Sequence, residues 1–155
     1  MRSRLAVLVA LVAGLIGALA AAGAAGAGDG GRPLSATPLT GAQEVPGPGD
    51  PDATGTADIV LNQGERTVCF ELTWANIDGT VTASHIHRGT ADEAGPIVVP
   101  LFVDGSFSGT AAASGCAEGV AAALIKEIRK NPSAFYVNVH SDVFPAGAIR
   151  GQLSK

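Results

Sequence analysis

The chain has 155 residues, 46% of them hydrophobic, with 10 basic and 14 acidic side chains, a net charge of −4, 21 glycines and two cysteines. A negative balance argues against nucleic acid as a partner, because phosphate backbones are held by clusters of Lys and Arg. The length leaves room for one ordinary core and none for a second domain.

In chain order, Arg2 and Arg4 precede an unbroken apolar run from Leu5 to about Leu19, and "AAAGAAGAGDG" follows with several Ala-x-Ala sites. A basic start, a short apolar stretch and small residues before a polar flank predict a secretory signal peptide over residues 1–28. A membrane anchor needs about 20 apolar residues, usually with basic residues after them. Here small residues and Asp29 follow, so the chain is expected to be secreted or otherwise extracytoplasmic, with no membrane association after cleavage. The mature chain would then carry 8 basic and 14 acidic residues, 8 − 14 = −6.

Residues 29–37, "DGGRPLSAT", are small and aperiodic and are expected to be a linker into a domain over 38–155. In "PGPGDPD", at 46–52, three prolines remove backbone donors, which predicts a loop with regular structure beginning only after it. "GTADIVLN" (55–62) and "RTVCFELTWA" (66–75) flank the turn "NQGE". Alternation puts Val68, Phe70, Leu72 and Trp74 on one face, opposite Thr67, Cys69, Glu71 and Thr73, as in a half-buried hairpin. Further strands are expected at 81–88, 97–103, near 106–113, at 134–141 and at 148–153. Only 117–130 has helical spacing, through Val120, Ala121, Leu124, Ile125 and Ile128, with Arg129 and Lys130 at its negative end and Pro132 as a stop. Many short strands with one inserted helix predict a mainly β fold, a Greek-key antiparallel β-sandwich.

Cys69 and Cys116 are too widely spaced for a metal knuckle or a Cys-x-x-Cys pair, and an exported chain favours joining them in a disulfide. Two of the three histidines, His85 and His87, lie in "ASHIHRG", where strand geometry sends both to one face and Ile86 to the other. The third, His140, closes "FYVNVH" and shares a face with Asn138, while Phe135, Val137 and Val139 take the core side. If the two strands are neighbours, three imidazoles converge on the sheet surface, a donor set that suits copper or zinc. The other reading makes the histidines hydrogen-bonding groups that fasten nearby loops. No nucleophile elbow or triad motif is present, and Asp92 and Glu93 sit in a Gly-flanked loop that reads as solvated surface.

"LTGAQEVPGPG", "GTADIVLN", "TVCFELTW", "ASHIHRG", "GPIVVPLF", "FYVNVHS" and "GAIRGQL" together resemble the CHRD domain, found in chordin and in many exported bacterial proteins, over roughly residues 34–153. The resemblance implies a secreted β domain. Chordin antagonises bone morphogenetic proteins, but this sequence has none of chordin's cysteine-rich modules, so that role is not carried over. A more distant likeness is to copper/zinc superoxide dismutases, Greek-key sandwiches in which a strand His-x-His and a later histidine bind copper and an arginine guides the anion. His85, His87, His140 and Arg150 stand in that order, but no histidine lies between His87 and His140 to bridge to a zinc site. The reading is therefore a non-enzymatic binding or structural module with an unidentified protein or small ligand as partner; if the three histidines bind an ion it is copper or zinc, and otherwise there is no cofactor. The alternative is a copper-dependent redox enzyme. Arg150 either guides an anion to the metal or pairs with Glu44 of "GAQEVP"; the pairing is expected, because a guanidinium taken out of water needs a partner.

Overall fold

In a computed structural model, residues 31–109 and 111–155 are described; the signal peptide expected over 1–28 lies outside them. The strands are β1 (Arg32–Thr40), β2 (Thr54–Asn62), β3 (Thr67–Ala75), β4 (Thr80–Arg88), β5 (Ile97–Phe102), β6 (Phe107–Ser108), β7 (Ala111–Ala117), β8 (Phe135–Ser141) and β9 (Ile149–Gln152), with one helix, α1 (Ala122–Lys130). All pairings are antiparallel, in the order β5-β4-β8-β9-β1-β2-β3-β7, and β6 adds to β4. The end strands β5 and β7 approach each other, so the sheet nearly closes on itself as a flattened barrel, a mainly β sandwich. One half is β5-β4-β8-β9 and the other β1-β2-β3-β7; β1 meets β9 at the single register pair Thr40↔Arg150.

The predicted alternation of β3 is observed: Val68, Phe70, Leu72 and Trp74 are buried, and Trp74 packs on Phe102 and Phe107. Ile86, Val137, Val139 and Ile149 cover the core from the other half, and α1 adds Ile125 and Ile128. Each such side chain contributes roughly 1.5–3 kcal/mol by leaving water.

Four expectations need correction. Residues 32–37 are not linker, and regular structure does not wait until after residue 52, because β1 pairs with β2 from Arg32↔Leu61 onward. Leu34, Ala36 and Leu39 point into the core, but a register shift between Ala36 and Leu39 breaks the alternation, which hides the strand from a period-2 reading. The segment 106–113 is not one strand: β6 joins β4, whereas β7 joins β3 and runs on to Ala117. The helix consequently starts at Ala122 rather than 117. Gly119 has φ +69, and the Arg66 guanidinium holds the carbonyls of Gly119 and Val120, so these residues form a turn.

Cys69 and Cys116 are directly opposite in the β3–β7 register and are joined by a disulfide on the outer side of the sheet.

Candidate metal centre

The outer face of β4, β8 and β9 is assembled by register. His85 stands opposite Asn138, His87 opposite Tyr136, Ala83 opposite His140, and Arg150 opposite Asn138 from the far side. On β4 the parity changes midway. Val81 is a core residue, yet so is Ile86, because a bulge in the pairing with β8 falls between Val81 and Ala83. Without it, the inward parity of Val81 would send His85 and His87 into the core.

The three imidazoles come together, one ligand nitrogen from each lying within 4.8 Å of the others. His85 Nδ1 is 3.0 Å from His140 Nε2. His87 Nδ1 donates to the Gly95 carbonyl at 2.9 Å and His140 Nδ1 to the Pro145 carbonyl at 3.0 Å. A carbonyl only accepts, so in both rings the proton sits on Nδ1; the Nε2 lone pair of His87 is left free, and that of His140 accepts from His85 Nδ1–H. His87 Nε2 is buried and has no hydrogen-bond partner. A buried, unpartnered acceptor costs free energy unless something binds it. The donor set fits the expected ion: imidazole nitrogens with carbonyl-fixed tautomers are what zinc and copper take, at about 2.0–2.1 Å each for zinc.

The patch is not open surface. His85 and His87 are only 8% and 9% exposed, because the β4–β5 loop, residues 89–96, folds back over it. Gln152 donates to Gly89 O at 2.7 Å, and Gly95 N–H donates to the Tyr136 hydroxyl at 3.2 Å. Burial disfavours the charged imidazolium in all three rings. It pushes His85 down to about 4, helped by the neighbouring His140 and His87, and it lowers His87 and His140 against the opposing pull of their carbonyl partners. Neutral imidazoles at pH 7 are the form that binds a metal.

Arg150 and Glu44 do not pair as expected. Arg150 is 1% exposed and donates to Thr90 O at 2.6 Å and to Glu93 O at 3.0 Å, with its guanidinium carbon 3.4 Å from the Tyr136 ring centre. Glu44 accepts instead from Asn138 Nδ2 at 2.6 Å. Burial raises its carboxyl to about 7, although Arg150 and the Asn138 bond pull the other way. Two backbone carbonyls and an aromatic face satisfy the guanidinium, so no carboxylate contact is required. The same contacts direct Nη1 and Nη2 to the loop carbonyls, although the charge still acts on His87. Sequence reasoning missed Tyr136, Gln152 and the carbonyls of the 89–96 loop. The alternation Tyr136, Asn138, His140 was a signal for the first, whereas no sequence signal announces a carbonyl acceptor.

Comparison with known proteins gives one family. A family model described as CHRD domain matches residues 35–153. No curated protein and no solved structure matches the chain, so the dismutase likeness gains no support from them.

Proposed function

The chain belongs to the CHRD family, and from that premise we propose that it is an exported, non-enzymatic module that holds one copper or zinc ion through His85, His87 Nε2 and His140 Nε2, the ion taking the place of the proton that His85 Nδ1 shares with His140 Nε2. The observation that carries this reading is the buried lone pair of His87 Nε2, which faces no donor while Gly95 O occupies the other ring nitrogen. Export is supported by the Cys69–Cys116 disulfide, which suits an oxidising compartment. No helix among the described residues is long and apolar enough to cross a membrane. The ion would act as a structural or sensing ligand rather than a reaction centre, because Arg150, whose charge acts on His87, is engaged by Thr90, Glu93 and Tyr136.

The test is metal analysis of the protein purified from periplasm or medium, followed by zinc and cupric titration. One equivalent per chain is expected in the wild type and none in His85→Ala, His87→Ala or His140→Ala. Saturation at 100-fold over Kd should add about 2.7 kcal/mol of stability. Wild-type protein that takes up no more metal than the triple variant would refute the site. The intact mass of the exported chain tests the signal peptide, which should be missing through about residue 28.

A further inference from the structure

Arg150 and Tyr136 hold the loop that gives His87 its hydrogen-bond acceptor. The guanidinium binds the loop at two carbonyls, Thr90 and Glu93, while lying against the Tyr136 ring. The same ring is stacked on His87 at 4.8 Å and 10°. The Tyr136 hydroxyl accepts from Gly95 N–H, and the carbonyl of the same residue accepts from His87 Nδ1. Gly95 is packed so tightly on the backbone of Arg88 that a Cβ there would overlap the Arg88 carbonyl. The peptide that orients His87 is thus gripped by β4 below, by Tyr136 on its N–H side and, one turn of loop away, by Arg150.

We propose that Arg150 and Tyr136 form a latch that positions His87 for metal, by holding the 89–96 loop where Gly95 O keeps the proton on His87 Nδ1 and leaves Nε2 free. This rests on the three-histidine reading. His140 is oriented by Pro145 O, on a different loop, and so lies outside the latch. A guanidinium that merely stabilised the fold would move the melting temperature without selecting between the two nitrogens of one histidine. Both residues act through His87; they are positioning residues and touch no ion.

The test uses the metal-free full domain at pH 7.5, with ring-nitrogen NMR to read each histidine's tautomer and calorimetric zinc titration to read affinity. The wild type should show His87 and His140 protonated at Nδ1. Arg150→Gln should bring in the Nε2-protonated form of His87, leave His140 unchanged and weaken zinc about 10- to 100-fold, the range for losing an outer partner of a ligand. Tyr136→Phe keeps the ring on His87 and removes only the hydroxyl, so it should shift the same signals by a smaller amount; it decides the matter alone if Arg150→Gln does not fold. Unchanged His87 tautomer and unchanged zinc affinity in the folded variants would overturn the latch. A wild type that binds no zinc, while the tautomer shifts as expected, overturns the metal site and leaves the latch standing.

Discussion

The two halves of the barrel share one core and treat their outer faces in opposite ways. Over β2, β3 and β7 the outer face is wet. Thr56 and Thr73 exchange a cross-strand hydroxyl bond at 2.8 Å, Glu71 is exposed, and the chemistry is a covalent staple between Cys69 and Cys116. Over β4, β8 and β9 the outer face is roofed by loops and yet polar, with His85, His87, Asn138, Glu44 and Arg150 all buried. Burying such groups is costly unless each finds a partner. Most do; among the described residues the unpartnered buried side-chain atoms are His87 Nε2 and Asn138 Oδ1 on this face, Trp74 Nε1 on the core side of β3, and Asp50 Oδ1. The difference teaches that stability is stored on the solvated side and binding capacity on the roofed one.

Removal of the disulfide should have the largest effect. Cys69→Ser with Cys116→Ser should cost roughly 2–5 kcal/mol in urea unfolding, because the crosslink spans 47 positions and anchors the edge strand β7. Zinc uptake by the folded fraction should be unchanged; a loss of uptake would show that the two halves are not separable.

Glu44→Gln comes next, and its effect depends on pH. Burial pushes the folded-state pKa of Glu44 up to about 7, above its ordinary value of 4.5. Its contribution is therefore full below about 4.5 and is lost as pH rises through 7. The variant should be stabilised relative to wild type by on the order of 1–3 kcal/mol at pH 8 and by little at pH 4, as thermal melts across that range would show. The histidines set the opposite slope. His85 is held near 4 against an ordinary 6.5, so its contribution is present above 6.5 and is lost as pH falls through 4. A difference in melting temperature between Glu44→Gln and wild type that did not grow from pH 5 to pH 8 would contradict the assignment of Glu44 as a buried carboxyl.

Gly147→Ala should cost about 1–3 kcal/mol. Gly147 has φ +146, and a Cβ there would overlap the Asn138 amide and the Glu44 carboxylate. The matching change on the wet face, Thr73→Ala, removes one exposed hydroxyl bond and should stay within about 1 kcal/mol. Equal costs at these two positions, measured by chemical unfolding, would erase the contrast between the faces.

Much of this was legible in the residues. The hairpin of β2 and β3 was readable because nine consecutive positions of β3 alternate without interruption. β1 was not, because its bulge and its prolines break the period that identifies a strand. The 106–113 stretch was read as one strand because nothing local shows that residues three positions apart serve different neighbours, β4 and β3.

The sequence by itself determined which residues face together within a strand: His85 with His87, Asn138 with His140, Arg150 with Gln152. That follows from backbone pleating, which has period 2 whatever the fold. Only the tertiary structure decided that β4 and β8 are neighbours, that a bulge turns the histidines outward, and that a loop roofs them. The fate of Arg150 shows the limit most sharply. A charge search for its partner points to Glu44, but backbone carbonyls carry no sequence label, and the two that hold it come from a loop some 60 residues away that reaches β9 only once the barrel has formed.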